Sequence, residues 1–477
     1  MKSHSHSTAP SLLLSLARNL RQFESAHLPD DICQQAKLLV LDSIGCALIT
    51  QEEPEVRPAL NALLALGGAP QATIIGTGVK SSVLQAVLAN EILVRYLDLN
   101  DFTLSFSQAG LRIAGHPSDN IPVALAMGEA YGASGRDVLS AIVLGYDLFD
   151  RMRQLFDSSS QWDGTSASGL VAAAMSGVLM SLNEAQLSEA LALGAMRSAT
   201  PRLVRRGHIT AAKFLANPLI AQSGVLAALL AASGMTGPQA IFEDEDGLAC
   251  LFRDNADLNL LAQPFSAPFA IEKAYVKAFP CLATGQAETA AAIQMHHVLG
   301  GRTDHIDHFD VIMADYPMVL EQQNDPARRH PDSREAADHS FYFLAAVGLI
   351  DGTLTTRSYD NERWLEPAIV SLMAKGHMRM DGKLNQQAPK SYPCAIEVTL
   401  KDGSQHRTQV DYAPGHSIGL LEESAVVEKF NRLTQSVLGH NRQEQIIRAV
   451  LRLDQMERIE SLMALCGALD PKTCARP

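Results

Sequence analysis

Acid–base side chains are concentrated between residues 96 and 120 of this 477-residue chain. The segment Y-L-D-L-N-D places Asp98 and Asp101 three residues apart at the end of an apolar helical run, and G-H-P-S-D-N places His116 before a second one. An aspartate can act as a general base when burial raises its pKa, and histidine transfers protons near neutral pH. The Ser-Asp-Asn sequence after Pro117 is also a good helix N-cap, so the spacing alone is equally compatible with capping aspartates and a loop histidine.

Two lysines beside apolar segments are candidates for binding an anion. Lys213 precedes a segment, residues 214–242, that contains no charged residue, and Lys277 lies in K-A-F-P-C-L-A-T-G-Q, where Pro280 interrupts the local structure. A lysine in such surroundings must form an ion pair, extend its ammonium group to water or bind an anion such as a carboxylate. Each is also compatible with an ordinary surface lysine.

The sequence lacks the motifs of metal, dinucleotide and nucleic-acid sites. No glycine-rich loop follows a predicted strand, and the seven cysteines show no paired spacing. The histidine pairs at positions 4/6 and 296/297 are neighbours whose side chains point apart on a helix or an extended tail. The net charge of −13 argues against nucleic acid. We therefore expect no metal, no cofactor, no nucleic-acid partner and reduced thiols in the cytoplasm.

Apolar periodicity predicts a mostly α protein. With 47% hydrophobic and 19% charged residues, the chain is globular, and its length is too great for one core. Strand-like alternation is almost absent from residues 10–240, and alanine is abundant there, which favours closely packed helices. The predicted helices cover residues 12–23, 30–48, 82–97, 122–131, 135–155, 167–182 and 184–195.

The pattern changes near residue 264. Strands are predicted at residues 308–314, 394–401 and 405–412, the last two joined by an Asp-Gly turn, with helices at 338–350 and 367–374. Helical periodicity returns at residues 426–438 and 443–466, and we expect this tail to pack on the first helices. The domains are thus predicted as a large all-helical domain, residues 1–264 and 413–477, and a smaller α+β lid, residues 265–412.

The uncharged segment at residues 214–242 is the one candidate for a membrane span. It is interrupted by Asn217, Pro218 and a Gly-Met-Thr-Gly-Pro turn, and its apolar part, residues 224–232, is too short to cross a bilayer. We therefore expect a helix that is buried on all sides within a soluble protein, and no membrane partner.

A family resemblance adds to these patterns. Y-L-D-L-N-D and G-H-P-S-D-N are followed by A-A-K-F-L-A-N, K-A-F-P-C, A-D-H-S-F-Y-F-L-A-A-V-G-L-I-D-G-T-L-T, and a late K-D-G with D-Y-A-P-G-H. In this order, and across residues 38–417, the chain resembles the MmgE/PrpD family. That family includes 2-methylcitrate dehydratase, cis-aconitate decarboxylase and iminodisuccinate epimerase.

The resemblance implies a fold and a set of site residues. It implies a large helical domain, a smaller α+β lid and a homodimer, in agreement with the two predicted domains. It places Asp98 and His116 in the active site as catalytic residues and Lys213 and Lys277 at carboxylate-binding positions. Tyr316, in D-Y-P, lies near the position of an active-site tyrosine in the decarboxylases.

Three positions depart from the family pattern and are expected to contact the substrate differently. Asp163 stands where decarboxylase-like members have a histidine, and Cys281 follows the Phe-Pro of the lid, where the family often has histidine nearby. Thr103 is displaced by one position from the threonine expected directly after Asn-Asp. We include all three as substrate-binding candidates, and they argue against decarboxylation.

The expected activity follows from this chemistry. The family's substrates are small polycarboxylates with an acidic C–H next to a carboxylate or imine, and nearby cations stabilise the charge that develops when that proton is removed. We expect a cofactor-independent hydro-lyase that dehydrates a 2-methylcitrate-like tricarboxylate. The alternatives are a decarboxylase, isomerase or epimerase of a related acid, and a catalytically silent dimeric polycarboxylate-binding protein.

Overall fold

The computed structural model describes residues 11–24, 28–51, 53–106, 112–155, 162–248, 256–386, 391–416 and 419–469. The first part of the chain is mainly helical, as its apolar periodicity predicts. Its helices are α1 (Leu12–Glu24), α2 (Asp30–Thr50), α3 (Arg57–Leu66), α4 (Val83–Arg95), α5 (Ile121–Tyr131), α6 (Gly135–Leu155), α7 (Ser168–Leu179), α8 (Glu184–Ala195) and α9 (Ala212–Ala232).

The second part combines helices with a sheet, and the tail is helical again. The helices of the lid are α10 (Gln286–Leu299), α11 (Pro317–Asn324), α12 (Pro326–Arg329), α13 (Arg334–Ala337), α14 (Phe341–Asp351) and α15 (Pro367–Met373). The tail contains α16 (Glu423–Thr434), α17 (His440–Leu451) and α18 (Glu460–Leu465). The predicted mostly α fold with a smaller α+β part is therefore confirmed. The single helix predicted at residues 443–466 is wrong, because the chain turns between α17 and α18.

Short strands also occur among the first helices, so the expectation of an all-helical large domain is wrong in detail. β1 (Ala72–Ile74) and β2 (Val79–Ser81) form a hairpin. β3 (Phe102–Phe106) pairs with β4 (Arg112–Gly115) and with β5 (Ala274–Tyr275), both antiparallel. Strands of two to five residues are too short to show a period of two in the sequence.

The lid sheet has four strands in the order β7-β6-β8-β9. They are β6 (Ile306–Met313), β7 (Gly376–Met380), β8 (Cys394–Leu400) and β9 (Gln405–Val410). β6 is parallel to β7 and antiparallel to β8, and β8 is antiparallel to β9. α10 packs against β8 and β9, and α14 packs on α10.

Small residues bring the central helices together. A Cβ atom at Gly224 of α9 would lie 2.4 Å from the carbonyl oxygen of Gly169 in α7, which is too close for any side chain. α8 packs against both α7 and α9. α16 and α17 pack on α2, as expected for a tail that returns to the first helices.

Two separate hydrophobic cores underlie the two parts. The larger core includes Phe269, Ile271 and Val276 as well as α1 to α9 and the tail, and the smaller core begins at Cys281 and ends near Val410. Residues 265–276, which the sequence pattern assigned to the lid, thus contribute apolar side chains to the larger core.

Two helices, α2 and α9, are long and apolar enough to cross a membrane by length and composition alone. The apolar window of α2 is 89% buried within the protein, and that of α9 is 56% buried. Core helices of soluble proteins pass the same test, so this is weak support for a span. The expectation that α9 is buried on all sides is wrong, because Leu219, Leu226 and Leu230 are exposed on one face.

Candidate active site

The site is built around Asp98, just beyond the end of α4. Asp98 has a φ of 50°, a left-handed conformation that aspartate and asparagine tolerate better than most residues. Asp98 is 1% exposed, and its carboxylate forms ion pairs with three cationic side chains. Arg95 Nη1 lies 2.7 Å and Lys277 Nζ 2.5 Å from Oδ1, and Lys213 Nζ lies 3.1 Å from Oδ2.

These cations keep Asp98 ionised. Burial alone would raise the pKa of the Asp98 carboxyl, but the charges of Arg95, Lys213 and Lys277 together hold that pKa well below its usual value. A carboxylate with so low a pKa is a weak base. Asp98 is therefore suited to orient cations and to stabilise a protonated neighbour.

His116 lies beside Asp98, as the sequence predicted for the two residues. Its Nδ1 is 2.9 Å from the backbone oxygen of Asp101, and its Nε2 is 3.9 Å from Asp98 Oδ1. A carbonyl oxygen only accepts hydrogen bonds, so Nδ1 carries the proton and Nε2 has a free lone pair in the neutral ring. Burial, together with the charges of Arg95 and Lys277, lowers the pKa of His116 well below its usual value. His116 is thus a neutral imidazole with Nε2 able to accept a proton.

A second histidine, His339, lies on the other oxygen of the same carboxylate. Its Nδ1 is 3.8 Å from Asp98 Oδ2 and donates to Asp338 Oδ1 at 2.6 Å. Burial and the nearby charge of Lys213 lower the pKa of His339 to about 4. The sequence analysis did not assign this Asp-His pair a role, although A-D-H-S-F contains it directly before an apolar helix.

Both predicted lysines reach this centre, but each is already bound to a carboxylate. Lys213 is 2% exposed and lies 2.7 Å from both oxygens of Asp338 as well as near Asp98. Lys277 is 1% exposed and also donates to the backbone oxygen of Asp98 at 2.9 Å. Neither is among the described residues that line the neighbouring cleft.

A cleft of about 1400 Å³, measured with its open mouth, adjoins Asp98, His116 and His339. Met318 and Tyr392 from the lid line it together with Trp162 and Phe149 from the large domain. Among the described residues, its charged lining consists of six arginines and four carboxylates: Arg95, Arg153, Arg202, Arg205, Arg206 and Arg328, with Asp98, Asp119, Asp163 and Glu321. In a chain with a net charge of −13, this excess of cations concentrates anions at the site. This arginine-lined cleft was not predicted from the sequence.

Asp163 lies in this cleft, as predicted, and is bound to an arginine. Its Oδ2 accepts from Arg205 Nε at 2.6 Å, and its Oδ1 accepts from Thr165 N at 3.0 Å. Burial favours a higher pKa for the Asp163 carboxyl, but Arg205 and the Thr165 hydrogen bonds hold that pKa below its usual value. Asp163 is therefore an ionised anchor for Arg205.

The remaining predicted residues lie outside the lining of the cleft. Tyr316 donates to the backbone oxygen of Ser391 at 3.2 Å, and its ring packs 5.4 Å from that of Tyr392, which does line the cleft. Thr103 is buried in β3. Cys281 is fully buried in the smaller core, and burial raises the pKa of its thiol far above the usual value, so it remains a thiol at neutral pH.

Asp98, Asp338 and His339 present ligand atoms within 4.8 Å of one another, the arrangement of a possible metal site. Lys213 bridges the two carboxylates at 3.1 and 2.7 Å, and Arg95 and Lys277 occupy the remaining side of Asp98. A metal cation would be repelled by three fixed positive charges at this distance. The residues therefore suit proton transfer better than metal binding.

Comparison with known proteins shows the family of the chain. Residues 14–261 match the MmgE/PrpD N-terminal domain, and residues 279–455 match the MmgE/PrpD C-terminal domain. Cis-aconitate decarboxylase of Homo sapiens is 25% identical over 98% of this chain and 96% of its own length. A probable 2-methylcitrate dehydratase of Saccharomyces cerevisiae is 24% identical over 83% of this chain and 80% of its own length. The 2-methylcitrate dehydratase of Cupriavidus necator is 24% identical, with 88% and 90% covered.

Proposed function

Because the chain belongs to the MmgE/PrpD family, we propose that it is a lyase that dehydrates a small alkyl-substituted tricarboxylate similar to 2-methylcitrate without a cofactor. The observation that carries this proposal is the state of His116. Its neutral ring has an unprotonated Nε2 beside an ionised carboxylate, Asp98, at the edge of an arginine-lined cleft.

In the proposed reaction, His116 Nε2 removes the proton from the carbon next to a substrate carboxylate. The electrons of that C–H bond delocalise into the carboxylate, where the guanidinium groups of the cleft stabilise the added negative charge. Asp98, 3.9 Å away, stabilises the imidazolium that forms. The carbon–oxygen bond then breaks to give the alkene, and the imidazolium returns its proton to the departing hydroxyl, which leaves as water.

The charges of the site support dehydration over decarboxylation. Loss of carbon dioxide leaves a carbanion that must receive a proton, and a histidine that supplied this proton would have to begin protonated. The pKa of His116 is held well below its usual value and that of His339 at about 4, so both rings are neutral at pH 7. Neutral rings suit a reaction that begins with proton removal. Decarboxylation stays the second candidate, supported by the similarity to cis-aconitate decarboxylases.

Product analysis tests the proposal. Purified protein is incubated with 2-methylcitrate, cis-aconitate or racemisable amino-dicarboxylates, and the products are followed by NMR in deuterated water. Formation of the alkene supports dehydration. Release of carbon dioxide indicates decarboxylation, and deuterium uptake without net change indicates an epimerase. Binding of the acids without turnover indicates the silent binding protein and contradicts the proposal.

Matched histidine variants assign the base. His116→Gln is expected to lower kcat by about 10²–10⁴-fold, the usual contribution of a general base. His308→Gln removes a half-exposed histidine that pairs with Asp307 on the lid sheet, outside the cleft, and is expected to leave kcat unchanged. If His339→Gln abolishes turnover while His116→Gln does not, the base is His339, which lies at the other oxygen of Asp98.

Two further expectations belong to this proposal. We propose that the protein acts as a homodimer, as the family resemblance implies, and that it lies in the cytoplasm with its thiols reduced, as the unpaired spacing of its cysteines suggests. Light scattering of the purified protein tests the dimer, and fractionation of the source cells tests the location.

A further inference from the structure

The arginines of the cleft do not all belong to the proton-transfer centre. Arg95 lies against Asp98, whereas Arg205 and Arg328 lie against each other on a different part of the lining, where Arg328 Nη2 donates to the backbone oxygen of Arg205 at 3.0 Å. Asp119 interacts electrostatically with both groups, and its Oδ2 lies 3.5 Å from Arg95 Nε. Burial raises its pKa, and the charges of both Arg95 and Arg205 oppose that rise, so it is within electrostatic range of each.

Arg205 is held in a fixed orientation but retains hydrogen-bonding capacity. Asp163 accepts from its Nε at 2.6 Å, and Asp163 is itself fixed by Thr165. No residue in the described part of the chain accepts a hydrogen bond from its two Nη groups, and the side chain is 23% exposed. A guanidinium group that is anchored through Nε presents its paired Nη donors in the geometry that suits a carboxylate.

Arg328 is a buried cation whose donors are incompletely used. It is 4% exposed, and among the described residues none accepts a hydrogen bond from its Nε or Nη1. Its nearest carboxylate, Asp325, lies 3.9 Å from Nε. Leaving charged donors without acceptors in a buried position is costly, so an anion that binds here would relieve an existing penalty.

The lining also holds the guanidinium group of Arg153 against the backbone at Gly164. A Cβ atom at Gly164 would lie 2.9 Å from Arg153 Cζ, so the flexible Arg153 side chain would have to shift for any larger residue there. Arg153 thereby brings a further positive charge to the same lining as Arg205.

We propose that Arg205 and Arg328 form a distal anion subsite that binds the substrate carboxylate farthest from the carbon that reacts, with Asp163 as the residue that positions Arg205. This proposal rests on the proposed function of the cleft and specifies its substrate class. The protein is thereby selective for acids with a third carboxylate over dicarboxylates of similar length. Asp163 acts through Arg205 instead of contacting the substrate.

Calorimetric titration tests the subsite independently of turnover. The probes are tricarballylate, an unreactive tricarboxylate, and methylsuccinate, which is tricarballylate without one terminal carboxylate. Arg205→Gln is expected to weaken tricarballylate binding by about 10- to 100-fold, the range for a lost hydrogen bond to a charged group, and methylsuccinate binding by less than about threefold. Arg205→Lys keeps the charge without the paired donors and is expected to recover only part of the loss.

The controls separate the possible failures. Arg379→Gln removes a half-exposed arginine of the lid sheet, outside the cleft, and is expected to bind both acids as wild type does. Thermal unfolding confirms that Arg205→Gln is folded. Equal losses for the two acids, or no loss for tricarballylate, overturn the subsite. Selective loss in a protein that turns over none of the candidate acids leaves the subsite standing and refutes the proposed function instead.

Asp163→Asn tests the positioning role. It is expected to weaken tricarballylate binding less than Arg205→Gln does, and to have no further effect when combined with Arg205→Gln. Additive losses in the double variant would show that Asp163 contacts the ligand itself and would overturn its assignment as a positioning residue.

Discussion

Replacement of Asp98 by asparagine isolates the charge at the centre of the site. Asparagine has the same shape, and it tolerates the left-handed backbone at φ 50° as aspartate does, so the backbone remains unstrained. The substitution removes the negative charge that Arg95, Lys213 and Lys277 share at 2.7, 3.1 and 2.5 Å.

The expected loss of stability is about 3 kcal/mol. Removing one partner of a buried ion pair typically costs about 3–5 kcal/mol. The lower end applies here because Lys213 keeps Asp338 at 2.7 Å, Arg95 keeps Asp119 at 3.5 Å and Lys277 keeps a backbone oxygen at 2.9 Å. Urea unfolding at pH 7 measures the change, which corresponds to about two powers of ten in the unfolding equilibrium constant.

The same variant also changes the base. The Asp98 charge favours protonation of His116, so its removal lowers the pKa of His116 further and reduces kcat. The acidic limb of the kcat/KM profile is expected to move to lower pH. Asp310→Asn, which weakens a surface pair with Arg379, serves as the control and is expected to cost less than about 1 kcal/mol. A fully stable Asp98→Asn variant, or an acidic limb that moves to higher pH, refutes this account of the site.

Three further predictions concern pH and packing. His116 and His339 have lowered pKa values and act as neutral rings, so kcat/KM is expected to be constant above about pH 6.5. At lower pH, kcat/KM is expected to fall with an apparent pKa below about 6.5. An apparent pKa above about 7 for this fall would contradict the prediction. Burial raises the pKa of Glu288 well above its usual value, and its carboxyl oxygens have no hydrogen-bond partner among the described residues. As the pH rises, Glu288 therefore ionises in the unfolded state before it ionises in the folded state, which destabilises the fold. Glu288→Leu is expected to stabilise the protein more at pH 8 than at pH 5, by up to about 1.4 kcal/mol per pH unit between the unfolded-state and folded-state pKa values of Glu288. Equal effects on urea unfolding at both pH values would refute this prediction. A Cβ atom at Gly135 would lie 1.7 Å from a backbone carbonyl oxygen, so Gly135→Ala is expected to cost about 3 kcal/mol in thermal unfolding. Gly382→Ala is expected to cost little, because a Cβ atom there would lie 3.8 Å from its nearest neighbours, an ordinary contact distance. Similar losses in both variants would contradict the clash at Gly135.

Long helices could be predicted from the sequence because their apolar spacing extends over several turns. The helices at residues 135–155 and 184–195 have the predicted bounds. The strands β1 to β5 and β7 could not be predicted, because a segment of two to five residues is too short to show a hydrophobic period. β7, Gly376–Met380, also pairs in parallel with β6, and a parallel partner leaves no turn signal in the neighbouring sequence.

Local spacing alone predicted the site only where its residues are close in the chain. Asp98 and His116 are 18 positions apart, and the sequence indicated their proximity. Lys277 and Asp98 are 179 positions apart, so their ion pair could not be read from local spacing, and the lysine was expected to bind substrate instead. His339 lies between α13 and α14, and the segment before it is held against the large domain, where Ser333 Oγ donates to Ile209 O at 2.8 Å and Arg334 Nη1 to Tyr96 O at 3.2 Å.

The cationic side chains around Asp98 also affect the pKa values of the two histidines. Burial is the main cause of the lowered pKa of both histidines; Arg95 and Lys277 lower the pKa of His116 further, and Lys213 lowers that of His339. Asp98 opposes this change at both rings, and Asp338 also opposes it at His339. The balance keeps both rings neutral beside an ionised carboxylate. The buried lysines thus help to keep the proposed base neutral, and in the proposed function the arginines that line the cleft bind the carboxylates of the substrate. This division explains why two lysines at carboxylate-binding positions are each already paired with a carboxylate of the protein.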